Sequence, residues 1–363
     1  MLEPASYEEA GELLRASAEV ARAVRPVGGG TKLGWGGTTR AELDVSTASL
    51  AAIREHNAGD LTAVLEAGAR LAHVQDVFAE AGQMLALDPP LGAGDAATIG
   101  GIVATADSGP LRHRYGAPRD LVIGIRVALS DGTVAKSGGK VIKNVAGYDL
   151  GKLFAGSFGT LGLILGVAVR LHPRPATRAT ALFRSEGPDA LARTAAALAH
   201  APLELEALDV RWERGRGAVL ARAAGTAALD RARDMVERWG GEVVEDDDAL
   251  WAAQRAGQRS EEGIVLRVSA VPARLGHLLE VAERMGARVV GRAGLGVAWL
   301  TLPDVSALDE VRREFGGVVF DRPRGVELDA WEPEPPAAGL MRRVKERFDP
   351  AGILNPGVFA GGI

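Results

Sequence analysis

The chain has 363 residues, 47% of them apolar and 25% charged, with no cysteine and a net charge of −5. That length suits two domains, each with a core of its own. The missing cysteines exclude disulfides, thiolate catalysis, iron–sulfur ligation and a thiol link to a cofactor, and an acidic chain without a basic patch gives nucleic acid no footing.

Ser6 and Glu9 read as a capping-box pair ahead of a helix over Ala10 to Val20. The first residues, Met1 to Glu9, have neither a basic nor an apolar leader region, so no signal peptide is expected and a cytoplasmic protein is. Val24 to Val27 is a short strand that runs into Gly28-Gly29-Gly30-Thr31; Leu43 to Val45 and Leu61 to Glu66 are further strands. A helix over Leu71 to Ala81 stops at Gly82. Leu121 to Leu129 is strand-like, Asp131-Gly132 turns a hairpin into Thr133 to Lys136, Gly147 to Phe154 reads as a short helix, and Leu161 to Leu171 as a buried strand. That last run is the longest apolar one, holds Arg170, and falls far short of the ~20 residues of a spanning helix, so no direct membrane segment is expected.

His172-Pro173-Arg174-Pro175 marks a boundary. Beyond it, alanine-rich helices (Asp189 to His200, Ala227 to Trp239, Ala273 to Met285, Ser306 to Phe315) alternate with short strands (Leu205 to Val210, Val219 to Arg222, Ile264 to Val268, Val297 to Leu302). The alternation predicts an α+β domain with helices on one sheet face. Pro333-Glu334-Pro335-Pro336 is a rigid linker, Leu340 to Phe348 a basic helix, and Asp349 to Phe359 a turn-rich tail too short for its own core. The expected organisation is residues 1–172, 173–325 and a segment 326–363 that docks back on the first domain.

Of the 139 residues from Gly28 to Gly166, 25 are glycine, against about 7% in average proteins. Each costs backbone entropy, which points to bare amides held against a ligand. Gly28-Gly29-Gly30 after a strand can form a concave nest for a diphosphate, with the Thr31 hydroxyl beside it; a plain tight turn is the other reading. The run is not a Walker A loop, because Trp35, not Lys-Ser/Thr, follows Gly34. Gly92-Ala93-Gly94-Asp95-Ala96-Ala97 has the letters of a dinucleotide fingerprint but follows Asp88-Pro89-Pro90 instead of a strand. Both nucleotide readings are therefore set aside.

The run Thr98 to Thr105, then Arg114-Tyr115-Gly116, Asp120, Asp131-Gly132, Gly147-Tyr148-Asp149-Leu150 and Leu153 to Gly162, resembles the FAD-binding domain of the vanillyl-alcohol oxidase and p-cresol methylhydroxylase superfamily over residues 1–172. The tail Phe348 to Gly357 resembles the segment by which such chains return to the flavin domain. Within the superfamily, Lys143 to Asp149, the size and the missing cysteines resemble the FAD-binding subunit of bacterial glycolate oxidase. The resemblance implies an α+β fold: a two-subdomain FAD module, a ferredoxin-like cap and a returning tail.

It also implies roles. Gly28, Gly29, Gly30 and Thr31 would cradle the pyrophosphate. Pro89, Pro90, Thr98, Gly100 and Gly101 would line the flavin, with Ala104, Asp107 and Ser108 near the ring or ribityl chain. Ser157, Gly159, Gly162 and Ile164 would hold the adenine end, and Asn355 and Gly357 would close over the isoalloxazine. Relatives with covalent flavin place histidine after the three glycines; Thr31 stands there, so FAD is expected to be non-covalent. Relatives that oxidise 2-hydroxy acids carry a stretch resembling A-H-x-G-D-G-N in the cap. Here Gly291-Arg292-Ala293-Gly294-Leu295-Gly296-Val297 stands in its place, without the histidine and aspartate that would serve acid–base chemistry or a metal.

The expected activity is that of an FAD-dependent oxidoreductase subunit acting on CH–OH donors, working with a larger catalytic flavoprotein subunit and an iron–sulfur subunit, and reaching a membrane only through such partners. The alternatives are a self-sufficient FAD enzyme with Arg292, Arg322 or Arg324 as substrate clamp, and a non-catalytic assembly subunit. No metal is expected, since the six histidines fall singly. Of these, His113 adjoins the flavin module's Arg114-Tyr115-Gly116, with packing as its simpler role. Asp246-Asp247-Asp248 reads as a helix N-terminus, and the six tryptophans read as packing anchors.

Overall fold

A computed structural model describes residues 1–139 and 149–363 of the chain. The Lys143 to Tyr148 stretch lies outside the described residues, and of the helix expected from Gly147 only Leu150–Phe154 falls within them. The chain forms two compact units: residues 1–108, 115–174 and 334–363 make the first, and residues 109–114 and 175–333 the second.

The first unit opens with α1 (Tyr7–Glu19), whose N-terminus is closed as its sequence implies: Ser6 Oγ accepts the Glu9 amide, and the Glu9 carboxylate reaches back to the Ala5 amide at 2.8 Å. Next come β1 (Val24–Val27) and β2 (Leu43–Ser46), paired in parallel. Then follow β3 (Ile53–Asn57), β4 (Thr62–Glu66), α2 (Leu71–Glu80), β5 (Gln83–Met84), α3 (Ile99–Thr105), the short turn α5 (Pro118–Leu121), β6 (Val122–Ala128), β7 (Val134–Gly138), α6 (Leu150–Phe154), β8 (Leu163–Arg170) and β9 (His172–Pro173); the turn α4 (Arg112–Tyr115) falls, but for Tyr115, in the second unit. Strands β3, β4, β8, β6 and β7 lie side by side in that order as an antiparallel sheet. Strand β8 sits at its centre, buried along most of its length, as a continuous apolar run predicts.

The tail returns to this unit. Helix α12 (Ala338–Phe348) sets Phe348 edge-on against Phe154, and Leu354 adds a parallel bridge beside Val24 of β1. Lys345, 12% exposed, donates to the carbonyls of Thr160 (2.8 Å) and Leu354 (2.6 Å) and to Asp349 (2.6 Å). Asp349 in turn accepts the amides of Ile353 and Leu354. Burial pulls the Lys345 ammonium below its ordinary range. Lys345→Met would strand a fully buried carboxylate and two carbonyls, and is expected to cost about 3 kcal/mol. A lower urea midpoint at unchanged m-value is the readout.

The second unit is built from β10 (Arg178–Ser185), α7 (Pro188–His200), β11 (Ala207–Glu213), β12 (Arg216–Ala224), α8 (Ala228–Trp239), β13 (Glu242–Val244), α9 (Asp248–Ala256), β14 (Ile264–Ser269), α10 (Leu275–Arg284), β15 (Arg288–Arg292), β16 (Val297–Leu302), α11 (Val305–Phe315) and β17 (Val318–Val319). The eight strands form one antiparallel sheet in the order β13-β10-β12-β11-β15-β16-β14-β17. The pattern β-α-β-β-α-β therefore occurs twice, β10 to β13 and β14 to β17, each in the ferredoxin-like strand order, with α9 between them. The two repeats join edge to edge through β11 and β15.

Four helices, α7, α8, α10 and α11, supply core residues to one sheet face with Leu208, Val210, Leu266 and Leu300. Helix α9 departs from the expected one-sided layout. Its Trp251 packs with Leu182, Ala207, Ala218 and Leu220, the strand residues of opposite phase, and so covers part of the second face. The aspartate run stands at the N-terminus of α9 as its sequence implies, with Asp247 at the cap position and Asp248 in the first turn, but its side-chain partners differ. Asp247 makes no cap hydrogen bond; its buried carboxylate takes the Arg222 fork and the Thr180 hydroxyl. Among the described residues no helix is long and apolar enough to cross a membrane.

Candidate functional site

In the first unit, an open cleft lies against the end of β1. Its shape follows from glycines. A Cβ on Gly28 would run into Thr98 Oγ1, and one on Gly29 into the Ala96 carbonyl oxygen, so only bare backbone lets these segments meet. Gly30 has φ +73° and faces open space. Thr98 caps α3 by accepting the Gly101 amide.

The amides of Gly28, Gly29 and Gly30 donate to no group among the described residues. Three consecutive bare amides at a cleft edge suit an anion. The two cations of the lining have carboxylates already. Arg25 grips Asp44 with two bonds of 2.7 and 2.8 Å, which holds that carboxyl below its ordinary range. Lys32, 6% exposed, lies 3.4 Å from the buried Asp107, 3.2 Å from Thr31 Oγ1 and over the Trp35 ring. The net charge of the lining is therefore small, and the peptide dipoles are what an entering anion meets.

The tail closes one wall. The Thr39 hydroxyl donates to Asn355 Oδ1 at 2.8 Å, and Asn355 Nδ2 donates to the Phe158 carbonyl at 2.7 Å. Asn355 has φ +44°, a conformation asparagine tolerates better than most residues.

Of the residues singled out from sequence, Gly28, Gly29, Gly30, Thr31, Thr98, Gly101, Ala104, Gly159 and Asn355 line this cleft. Asp107 reaches it through Lys32. The others lie off its wall. Pro89, Pro90, Ser108 and Ser157 are buried. Gly100 packs on Ala67 and Gly162 on Phe154, each too close for a β-carbon. Ile164 belongs to the apolar core, and Gly357, at φ +92°, donates its amide to Ile363. Lys32, Trp35, Thr39 and Phe158 line the cleft without having been singled out for it. Lys32 and Trp35 follow the glycine run directly, which is a usable signal; Thr39 has none, because its partner is 316 residues away.

The remaining candidates belong to the second unit. The His113 ring sits against Gly294 at 3.0 Å from where a β-carbon would stand, and burial and Arg114 pull its pKa below the ordinary value. Arg114 donates to the Glu204 carbonyl. The Gly291 to Val297 stretch is the β15–β16 turn. Arg292 there is fully buried, bonded to Asp209 at 2.6 Å and to Gln258, and stacked on Trp299. Its guanidinium is thus held inside the fold. Among the described residues no three histidine, aspartate or glutamate side chains are grouped to hold a metal.

Comparison with known proteins places the chain among FAD-linked oxidases. Residues 1–138 match the family described as an FAD binding domain, and residues 330–359 match the C-terminal domain of FAD linked oxidases. The chain is 31% identical to glycolate oxidase subunit GlcE of Escherichia coli over 315 residues, 82% of this chain and 81% of the relative. It is 28% identical to glycolate oxidase subunit GlcD of Bacillus subtilis over 98% of this chain and 88% of that one. Among solved structures, alkyldihydroxyacetonephosphate synthase superposes with a TM-score of 0.69 at 16% identity, over 98% of this chain and 76% of the other, which shows a shared fold. The fold and these matches define a flavoprotein oxidoreductase whose cofactor is FAD. The chain belongs to the glycolate oxidase family of FAD-linked oxidases.

Proposed function

We propose that the cleft holds FAD non-covalently, with the diphosphate on the Gly28, Gly29 and Gly30 amides and Thr31, and with Asn355 closing the wall beside Phe158. Bound there, FAD supplies a two-electron acceptor, while the chain binds, orients and shields it. The observation that carries this reading is the row of three amides with no acceptor of their own at the edge of the cleft. Thr31 follows the glycine run where a covalent anchor would stand, and among the described residues the cleft lining has no histidine, cysteine or tyrosine to bond a flavin.

The chain serves as the FAD-binding subunit of a heteromeric enzyme that oxidises a 2-hydroxy acid such as glycolate, beside a larger catalytic flavoprotein subunit and an iron–sulfur subunit that passes electrons on. The two glycolate oxidase subunits among its relatives support this, as does Arg292, which stands where acid–base residues would be needed and is committed to Asp209. The domain roles follow: the first unit, with the tail 334–363, holds the flavin, and the second unit, which keeps residues 109–114 and 326–333 expected elsewhere, forms the cap. The test is anaerobic mixing with glycolate and with D-lactate, chain alone and with both partner subunits. Bleaching of its flavin only in the assembled enzyme is the expected result; rapid bleaching of the isolated chain would mean a self-sufficient enzyme.

A further inference from the structure

Most arginines buried or half-buried in the second unit carry a carboxylate. Arg178 holds Glu206 at 2.7 Å, Arg259 holds Asp321 at 2.6 Å, Arg292 holds Asp209 at 2.6 Å, and Arg222 holds Asp247. Arg211 and Arg288 do not. Both lie on the sheet face that α9 only partly covers, and neither has a carboxylate within ion-pair distance among the described residues. Arg288 has one long contact, 3.4 Å to the Thr301 hydroxyl, and its buried Nε has no acceptor. Burial, and then the nearby Arg184, makes the charge on Arg211 harder to hold than usual.

These two residues open into a trough of about 520 Å³ floored by small residues, among them Gly217, Ala218, Ala253 and Gly257. Arg184 and Arg216 stand at its rim, partly offset by Glu242 at 2.8 Å and Glu186 at 3.5 Å, and Glu213 is the one acid of the lining. We propose that this arginine-lined trough docks an acidic polypeptide segment of a partner protein. Guanidinium forks pair with carboxylates through two parallel bonds, and two forks here lack theirs. A glycine- and alanine-rich floor admits a main chain as well as its side chains. The argument uses no residue of the flavin cleft and stands apart from the proposed function.

The test is fluorescence anisotropy of a labelled peptide of alternating glutamate and glycine, titrated with the full-length, FAD-loaded protein. Binding that weakens with added salt, and about tenfold or more in the Arg211→Gln/Arg288→Gln variant, is expected. The exposed rim variant Arg184→Glu/Arg216→Glu, which leaves the buried face intact, is expected to weaken binding too, and it decides the matter if the first variant fails to fold. Unchanged binding in the variants, equal binding of a lysine–glycine peptide, displacement by citrate at the same concentration, or arginine-dependent self-association in place of peptide binding would each overturn the proposal.

Discussion

A Gly29→Ala protein is expected to purify colourless, and to take up added FAD at least about a hundredfold more weakly than the natural chain. The added methyl would stand 1.6 Å from the Ala96 carbonyl oxygen. Neither side yields cheaply: Gly29 follows the end of β1, and Ala96 leads directly into Thr98, the cap of α3. Moving either segment turns the three amides away from a common focus. On the proposed placement each amide-to-phosphate bond would be charge-assisted and worth roughly 1.5–3 kcal/mol, so losing one or two accounts for the predicted factor. Gly30 separates shape from charge. A β-carbon there meets nothing nearer than Leu33 Cδ1 at 3.9 Å. Gly30→Ala pays only the left-handed backbone strain of about 1 kcal/mol and should stay yellow. On the proposed placement Gly30→Asp would set a carboxylate beside the diphosphate, and at about 5 Å and an effective dielectric of about 20 the repulsion is roughly 3 kcal/mol per charge, so the protein should lose colour nearly as fully as Gly29→Ala. Flavin absorbance of the purified proteins and a quenching titration give both answers. Yellow Gly29→Ala and Gly30→Asp proteins together would sink the diphosphate assignment.

The parts of this fold that sequence makes legible are those set by neighbours. The cap of α1 rests on Ser6 and Glu9, three residues apart, and the hairpin between β6 and β7 on Asp131-Gly132, where Gly132 has φ +86°. The glycine run at 28–30 announces close backbone approach, and the approach is to residues 96–98. What stays hidden is set by register and by distant chain segments. Asp247 looks like a helix cap from its neighbours, yet Arg222 on β12 claims its carboxylate. The face of α9 depends on the phase of Leu182 and Leu220, two strands it does not adjoin in sequence. The duplicated β-α-β-β-α-β order is carried by pairing, not by similar residues, so only the sheet reveals it. The closing wall of the cleft needs Thr39 and Asn355 from opposite ends of the chain.

Arg292→Met is expected to cost the second unit about 3–5 kcal/mol at neutral pH, and less in acid. Asp209 and Arg292 are directly opposite each other on β11 and β15, so their ion pair bridges the one seam between the two repeats. Both side chains are 0% exposed. Burial pushes the Asp209 carboxyl up to about 6 even with Arg292 beside it. Without the arginine the same carboxylate is buried and uncompensated, which is the costly half of breaking such a pair, and its pKa rises further. The sign follows from proton uptake. An unfolded aspartate titrates near 3.9, so between about pH 4 and the raised folded value the native variant binds the extra proton. Its stability is then greatest below about pH 4 and is lost as pH rises through the folded pKa. Measured by urea unfolding as wild type minus variant, the deficit should be large at pH 8 and shrink at pH 5. The double change Asp209→Leu/Arg292→Met removes both charges from the seam and should recover most of the loss, because apolar replacement of a buried pair is often neutral. A single variant whose deficit is the same at both pH values, or a double variant no better than the single, would show that the seam is held by strand pairing and packing alone.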